Sequence, residues 1–472
     1  MNMNETVQKL KYIFWDFFAA VVTWTLFFSY RKYLSGIPIE YISNIVMHDK
    51  NYYLGILLIP LGWILLYLFM GFYEHIFKRS RLKELEQTLL QTFIGTLIIF
   101  FFVILDDVVP NFVAYYKSYF FLFSVHFTLT YVGRLIITSR TISRIRKGEW
   151  GFPTLLIGNN GNALRTYQEI QRQPLRSGNI FIGYVSIDSA DGLLKDYLPR
   201  LGTITDLDDI MQRYEMDEVI IAVEPSQHEV LTNILTVIET YPVDIKIMPD
   251  YRDILVGSVK TDSIFYFPLI QIPRELLPPW QRVLKRIMDV GISLLVLLVL
   301  SPLFIIIAIL IKLTSKGPII YSQERIGRYG KPFIMHKFRS MYIDAERHGP
   351  ALSSKNDPRI TPLGRFLRKY RIDELPQFYN VLIGNMSIVG PRPERKYYID
   401  QIVQKAPYYR LLHRIKPGIT SWGQVKYGYA ENVDQMIERL QYDILYLENM
   451  SIAMDIKIMI YTVLIILQGR GK

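Results

Sequence analysis

Four long apolar stretches in the N-terminal part of the chain constrain its fold most strongly. They cover about residues 13–30, 53–73, 88–109 and 118–138, and each approaches the ~20 residues that an α-helix needs to cross a hydrocarbon core of ~30 Å. The first is dense in aromatic residues and has no small-residue cleavage site after it, so we expect it to remain as a helix. The stretches predict four transmembrane helices within residues 1–147.

Lysine and arginine residues mark three of the connections around these stretches. They precede the first stretch, separate the second from the third, and follow the fourth: Lys9 and Lys11; Lys78, Arg79, Arg81 and Lys83; Arg140, Arg144, Arg146 and Lys147. Because cytoplasmic loops carry an excess of these residues, both ends of the bundle are predicted to face the cytoplasm. The stretches contain almost no charge that could form a relay, so we expect an anchor rather than a transport path.

Composition excludes several kinds of site. The chain has 472 residues and no cysteine, which excludes thiol catalysis, thiolate metal ligands and disulfide bonds. Its formal net charge is +11, so anionic partners are expected. The basic C-terminal part lacks the aromatic-interleaved patch or reading helix of a nucleic-acid-binding protein, and we therefore expect no nucleic acid.

Short β-branched runs alternate with helical patterns after about residue 152. The runs are TLLIG (154–158), NIFIGYVSI (179–187), EVIIAV (218–223) and VDIKIMP (243–249). Alternation of strand and helix at this spacing is typical of a doubly wound parallel sheet. We therefore predict a Rossmann-like α/β domain over residues 148–260.

A glycine turn follows the first of these strands. Gly158 and Gly161 stand before a helical pattern, whose first backbone N–H groups could hold a nucleotide phosphate. The turn is only a loose relative of G-x-G-x-x-G, and no clear acidic residue ends the next strand. A domain without a bound dinucleotide is favoured, and a working nucleotide pocket is the alternative.

A further apolar segment, residues 291–311, follows a predicted linker over 261–280. Basic residues flank both of its ends, which the positive-inside rule does not allow for a simple span. Ser301 and Pro302 interrupt its middle, where proline favours a sharp kink and the serine hydroxyl can satisfy a freed carbonyl. We predict a re-entrant helix that enters the inner leaflet and returns, with a kinked full span as the alternative. Residues 452–467 are predicted to form an interfacial helix.

Arginine and lysine are frequent between residues 320 and 394, beside a few carboxylates. Guanidinium groups match phosphate oxygens bidentately, so this region predicts a ligand with several phosphate oxygens.

Asp373 and Glu374 lie between two helical patterns in this region, and Pro376 can begin the second of them. On spacing alone the Asp373 carboxylate could simply cap that helix. Alternatively, Arg368, Arg371 and Arg392 surround it and keep it ionised. An ionised aspartate attacks phosphorus only when cations neutralise the phosphate, which implies a divalent metal, and Mg²⁺ suits diphosphates best.

Seven motifs in the C-terminal part stand in the same order as in a known family. They are KRIMDV, the Ser301-Pro302 pair, KFRSM, DPRITPLGRFLRK, DELPQ, SIVGPRP and KPGITSWGQV. On these motifs, residues 281–472 resemble the bacterial sugar transferase family, the monotopic polyprenyl-phosphate phosphoglycosyl transferases. The layout of four helices, an α/β domain and this mainly helical catalytic domain is similar to the long exopolysaccharide-type members. There the α/β domain is not expected to catalyse.

The resemblance implies a role for each matching residue. Asp373 would be the nucleophile that attacks the β-phosphate of a UDP-sugar, Glu374 would complete the carboxylate pair, and Mg²⁺ would be held beside Asp373. Gln424 would lie near the nucleotide. The residues expected to bind phosphates are Lys337, Arg339, Arg368 and Arg392.

The resemblance also implies the reaction and its setting. A sugar 1-phosphate, with glucose or galactose favoured, would pass to undecaprenyl phosphate with release of UMP, which would initiate exopolysaccharide, capsule or O-antigen assembly. The chain would be a multi-pass protein of the bacterial inner membrane with its α/β and catalytic domains on the cytoplasmic side, and we expect a homodimer. Two alternatives are an NAD(P)-dependent nucleotide-sugar enzyme centred on the α/β domain and a non-catalytic membrane scaffold.

Overall fold

The computed structural model describes residues 5–74, 76–104, 112–173, 177–188, 192–224, 227–239, 241–249, 269–272, 275–345, 347, 349, 352 and 357–468. Residues 1–152 and 170–180 form one compact unit, and residues 153–169 and 181–472 form a second. The end of the third apolar stretch, residues 105–109, and half of the predicted linker, residues 261–268 and 273–274, lie outside the described residues.

The first unit is a bundle of helices. In chain order these are α1 Glu5–Leu34, α2 Ile39–His48, α3 Lys50–Phe69, α4 Arg81–Ile99, which continues as a π-helical turn over Phe100–Ile104, and α5 Phe112–Arg146. Helices α1, α3, α4 with its extension, and α5 are long and apolar enough to cross a membrane. The prediction of four membrane helices is confirmed, and the short helix α2 was not predicted.

A buried ion pair lies inside this bundle, and it overturns the expectation that the helices contain almost no internal charge. The Arg134 guanidinium on α5 donates through Nε and Nη2 to the two oxygens of Asp16 on α1, at 2.8 and 2.9 Å. Its Nη1 donates to Thr88 and Gln91 of α4, and the Tyr73 hydroxyl donates to Asp16. We refer to the Asp16–Arg134 pair, together with the three residues that bond to it, as the bundle ion pair. Hydropathy patterning missed it because each charge stands alone in an apolar, aromatic run.

The α/β domain contains one six-stranded sheet. Its elements are β1 Phe152–Ile157, α6 Gly161–Arg172, β2 Asn179–Ser186, β3 Arg200–Thr203, α7 Leu207–Arg213, β4 Glu218–Ile221, α8 His228–Ile238, β5 Asp244–Ile247 and β6 Ile270–Ile272. The strand order is β3-β2-β1-β4-β5-β6. Parallel pairing joins β2 to β3, β1 to β4 and β4 to β5, so the predicted α/β class is confirmed.

The sheet contains two strands that the sequence did not indicate. Strand β3 is four residues long, and β6 is three residues long and lies in the segment predicted as a linker. β6 pairs antiparallel with β5, so the sheet is mixed rather than wholly parallel. A strand this short has too few residues for an alternating pattern to stand out.

The C-terminal region, residues 279–467, is mostly helical. Its elements are α9 Pro279–Val299, α10 Ser301–Thr314, β7 Ile320–Ile326, β8 Pro332–Phe338, α11 Pro362–Lys369, α12 Gln377–Ile383, β9 Ser387–Val389, α13 Lys396–Lys405, β10 Gly418–Thr420, α14 Trp422–Lys426, α15 Val433–Glu448 and α16 Ile452–Leu467. Strands β7 and β8 form an antiparallel hairpin, and β9 pairs parallel with β10.

Helices α9 and α10 form a bent pair, which we call the elbow. They meet at Leu300 with a bend of 61°, and Ser301 and Pro302 stand in the first turn of α10. The Ser301 hydroxyl donates to the Leu298 carbonyl at 2.8 Å, as expected for a carbonyl freed by the break. The sequence thus located the bend correctly, and its position in a lipid leaflet stays a prediction.

Both outer ends of the elbow contact the same folded region. Near the start of α9, Arg286 donates to the backbone carbonyls of Val381 and Leu382 on α12. Toward the end of α10, Ile311 is buried in a cluster with Ile307, Phe338 and Leu367. Apolar side chains are exposed along both helices, from Ile287 to Leu313, and those near the bend are Leu295, Leu298, Val299, Ile305 and Ile306.

Candidate active site

Asp373 and Glu374 lie in a single 3₁₀ turn, Ile372–Glu374, between α11 and α12. The turn begins after Arg371, whose backbone is left-handed with φ 56°, a conformation that bulky residues rarely adopt. Helix α12 has Pro376 at its N-cap and no side-chain cap. The interpretation of Asp373 as a simple helix cap is therefore wrong.

Glu374, rather than Asp373, receives the neighbouring cations. Its carboxylate pairs with Lys337 at 2.9 Å, Arg371 at 3.2 Å and Arg392 at 3.3 Å. Burial raises the pKa of Glu374, but these three cations outweigh burial and hold that pKa well below the usual range. Glu374 is therefore a buried, ionised group whose charge is already compensated.

Asp373 faces a cavity of about 390 Å³. Within the described part of the chain, no hydrogen bond or ion pair reaches its carboxylate. Burial, and secondarily the charge of Glu374, raises the pKa of Asp373 above its ordinary value. Two of the three arginines expected around Asp373, Arg371 and Arg392, pair with Glu374. Arg368 and Arg371 still act on Asp373 through their charge and lower its pKa. Among the described residues, the Asp373 carboxylate therefore faces the cavity without a bonding partner.

The four predicted phosphate ligands line the same cavity: Lys337, Arg339, Arg368 and Arg392. The Arg339 Nη2 group donates to Ser315, while its Nε and Nη1 groups are buried without a partner among the described residues. Arg368 donates through Nε to the Ser340 hydroxyl at 2.9 Å, and its Nη1 is likewise unpartnered. Buried donors without acceptors are costly, so these guanidinium groups favour an anionic ligand with several oxygens.

Gln424 does not line this cavity. It lies on α14, where the Ser421 hydroxyl caps its backbone N–H group. Its side-chain amide is buried, and neither polar atom has a partner among the described residues. Its predicted place near a nucleotide stays a prediction.

Sequence reasoning missed part of the cavity wall. Glu394 pairs with Arg439 at 2.7 Å and with Arg325 at 3.5 Å. The Tyr429 ring lies 5.1 Å from the Arg392 guanidinium carbon and 5.8 Å from that of Arg371. Glu394 directly follows the SIVGPRP motif and could have been found there, whereas Tyr429 and Arg439 lie in stretches with no recognisable pattern.

No cluster of three or more histidine, aspartate or glutamate side chains suited to a metal ion occurs among the described residues. Mg²⁺ is commonly held by one or two carboxylates together with substrate phosphates rather than by a protein cage. Asp373, unpaired and facing the cavity, fits that mode of binding, whereas Glu374 and Glu394 are occupied by cations.

In the glycine turn of the α/β domain, polar groups that could bind a ligand already form hydrogen bonds within the chain. The Asn160 side chain accepts a hydrogen bond from the Ala163 backbone N–H group at 3.0 Å, and Asn159 bonds Asp188. A Cβ atom on Gly158 would meet the Ala222 carbonyl oxygen at 2.6 Å. The tight turn therefore accounts for this glycine without a nucleotide.

Two family models match the chain. The model described as bacterial sugar transferase matches residues 280–469, and the model described as CoA-binding domain matches residues 69–249.

Three similar proteins carry descriptive names. A UDP-N-acetylgalactosamine-undecaprenyl-phosphate N-acetylgalactosaminephosphotransferase of Aeromonas hydrophila is 40% identical over 218 residues, which are 46% of this chain and 51% of that protein. A UDP-glucose:undecaprenyl-phosphate glucose-1-phosphate transferase of Klebsiella pneumoniae is 35% identical over 264 residues, 56% of this chain and 57% of that protein. An undecaprenyl-phosphate galactose phosphotransferase of Salmonella typhimurium is 30% identical over 347 residues, 69% of this chain and 70% of that protein. The match thus spans about half the length of the first two relatives and more than two thirds of the third.

Proposed function

The chain belongs to the bacterial sugar transferase family, and from that premise we propose that it transfers a sugar 1-phosphate from a UDP-sugar to undecaprenyl phosphate. The names of three relatives support this substrate pair. The observation that carries the proposal is the Asp373 carboxylate, without an ion-pair partner among the described residues and beside a cavity whose wall holds seven basic side chains. An unpaired carboxylate is available for attack, and the basic groups neutralise the phosphates that it must approach.

In the first step, a carboxylate oxygen of Asp373 attacks the β-phosphorus of the UDP-sugar. A bond forms between that oxygen and phosphorus, and the bond from phosphorus to the bridging oxygen breaks. The bridging oxygen leaves on the α-phosphate, so UMP is released and the sugar phosphate remains on Asp373 as an acyl phosphate.

In the second step, a phosphate oxygen of undecaprenyl phosphate attacks the same phosphorus. The acyl phosphate bond breaks, Asp373 regains its carboxylate, and the product is undecaprenyl diphosphate sugar. No external oxidant, reductant or water is consumed.

The surrounding residues have distinct tasks in this scheme. Arg339 and Arg368 line the cavity and would bind the diphosphate oxygens. Glu374 holds Lys337 and Arg392 at the cavity wall. Asp373, together with substrate phosphates, would hold Mg²⁺, which neutralises charge that develops on the leaving phosphate when it is bound.

The elbow suggests how the two substrates meet. Its two outer ends contact one folded region while the apolar bend is exposed, which supports a re-entrant segment over a full span. A full span would separate the two ends by the thickness of the bilayer. We propose that the bend lies in the inner leaflet and that the catalytic region lies at the cytoplasmic face of the bacterial inner membrane.

We also propose a donor sugar and a role in a pathway. The relatives' names include N-acetylgalactosamine, glucose and galactose, and we favour glucose or galactose as the donor sugar. Initiation of exopolysaccharide, capsule or O-antigen assembly is the proposed role, with a homodimer as the proposed assembly.

UMP release from a panel of UDP-sugars tests the reaction. Purified full-length protein, Mg²⁺ and undecaprenyl phosphate are incubated with UDP-glucose, UDP-galactose, UDP-N-acetylgalactosamine and UDP-N-acetylglucosamine. We expect UMP from one donor or a close pair of donors, and a radiolabelled sugar in the lipid phase with the same donor. Without the lipid, we expect one UMP per active site and a mass increase on Asp373 equal to the sugar phosphate.

The matched control is Asp400→Asn, which neutralises an exposed aspartate on α13 and should keep full activity. UMP release in Asp373→Asn at the wild-type rate would overturn the covalent scheme. If no donor yields UMP from folded protein, the transferase proposal itself fails.

A further inference from the structure

Asn380 is a buried polar residue outside the groups that face the proposed substrate. It lies on α12 and is fully buried. Its Oδ1 accepts a hydrogen bond from the His336 backbone N–H group at 3.1 Å, and its Nδ2 donates to the Ile334 carbonyl at 2.7 Å. Both partners belong to β8, so the side-chain amide of Asn380 stands where a peptide group of a neighbouring strand would otherwise pair.

These two bonds join the segments that carry opposite members of an ion pair. Lys337 directly follows His336 on β8, and Glu374 lies in the turn that precedes α12. The Lys337 ammonium reaches the Glu374 carboxylate at 2.9 Å. A shift of β8 along α12 by one residue would move Lys337 by more than 3 Å, which would break the pair.

On the basis of the proposed function, we propose that Asn380 is a positioning residue that fixes β8 against α12, so that Lys337 stays on Glu374 and Asp373 stays unpaired. Asn380 does not touch the cavity. Its effect on the reaction is transmitted through Lys337.

The position of Lys337 makes this effect measurable. Lys337 lines the cavity together with Asp373, so its ammonium group is placed to contact a bound phosphate. Its displacement should therefore weaken binding of the UDP-sugar and raise KM more than it lowers kcat.

The test compares Asn380→Ala with Val381→Ala in full-length protein. Val381 is the next residue of α12 and is fully buried, and its truncation weakens the core without touching either bond to β8. The first readout is the rate at which an amine-acetylating reagent modifies Lys337, followed by mass spectrometry, and it does not require turnover. The second readout is KM for the UDP-sugar compared with kcat, both measured by UMP release.

We expect Lys337 to be acetylated at least about five times faster in Asn380→Ala, because local opening exposes the amine. KM for the UDP-sugar should rise about threefold or more, with a smaller change in kcat. Val381→Ala should change neither readout, although its thermal midpoint falls. In a Lys337→Met background, Asn380→Ala should leave KM where Lys337→Met alone puts it, because the lysine through which Asn380 acts has already been removed.

Equal acetylation of Lys337 in Asn380→Ala and the wild type would overturn the proposal, as would equal effects of Asn380→Ala and Val381→Ala. A rise in KM that persists undiminished in the Lys337→Met background would also overturn it. If the wild type releases no UMP, the proposed function fails while the acetylation result still decides the role of Asn380.

Discussion

The bundle ion pair and the proposed catalytic carboxylates, Asp373 and Glu374, are two buried charge clusters that differ in how their hydrogen bonds are satisfied. In the bundle, Arg134 donates to both oxygens of Asp16 and to Thr88 and Gln91, so every nitrogen of its guanidinium has a partner. At the cavity, Arg339 and Arg368 have N–H groups without a partner among the described residues, and the same holds for the Asp373 carboxylate. The first cluster is closed within the protein, whereas the second is complete only with a ligand.

This difference separates charge that determines structure from charge that performs chemistry. A closed pair in an apolar setting fixes the register of the helices that contribute to it, since a shifted register leaves buried charge unpaired. An open cluster stores unsatisfied hydrogen-bonding capacity, which a bound phosphate can use. Substitutions in the two clusters should therefore change different measured quantities.

The largest effect should come from Asp373→Asn. The amide has the shape of the carboxylate but cannot form the acyl phosphate, so UMP release should fall by at least about a thousandfold. The thermal midpoint should stay equal to or above that of the wild type, because a buried group that resists ionisation has been replaced by a neutral one. A large drop in thermal midpoint would mean that Asp373 is structural, like Asp16.

Arg134→Met should produce the reverse pattern. It leaves Asp16 buried and unpaired, which should destabilise the bundle by about 3–5 kcal/mol, measured as a lower thermal midpoint in detergent. Turnover per folded molecule should not change. The double variant Asp16→Leu with Arg134→Met serves as control and should recover most of the stability, because no unpaired charge remains. Loss of turnover without loss of stability would contradict the structural role of this pair.

Lys337→Met should change the pH dependence of the reaction. Lys337 lowers the pKa of Asp373 and Glu374, so its removal raises both values. Asp373 must be ionised to attack, and the acidic limb of kcat/KM should therefore move up by about one pH unit. Lys331→Met, which removes an exposed lysine just before β8, should leave the profile in place. An unchanged profile in Lys337→Met would show that its charge does not act on Asp373.

The smallest effects should come from removing one hydroxyl in each cluster. Thr88→Val takes one acceptor from Arg134 and should lower stability by about 1 kcal/mol with KM unchanged. Ser340→Ala takes the acceptor from the Arg368 Nε group and should raise KM for the UDP-sugar about fivefold with the thermal midpoint unchanged. If both variants changed the same quantity, the distinction between a closed and an open cluster would be lost.

The features that could be predicted from the sequence depend on patterns of residues close together in the chain. Apolar length gave the four membrane helices, strand and helix alternation gave the α/β domain, and the Ser301-Pro302 pair gave the bend. Motif resemblance selected Asp373 and four of the basic residues that line the cavity with it.

The features that escaped prediction depend on contacts between distant parts of the chain. Asp16 and Arg134 are 118 positions apart, and a hydropathy window averages each charge into its apolar surroundings. The Asn380 bonds span 44 and 46 positions. Which of two adjacent carboxylates receives the cations is decided by the direction of each side chain in a 3₁₀ turn, and sequence order does not encode it.

The 61° bend of the elbow has a mechanical consequence for the bilayer. A helix pair that enters and leaves through one face adds lateral area to that monolayer and none to the opposite one. The exposed apolar side chains at the bend make it a wedge, and wedges of this kind insert most readily where lipid packing is loose or the surface is convex toward them. If the elbow lies in the inner leaflet as proposed, the protein would therefore accumulate where the local curvature of the membrane favours its insertion.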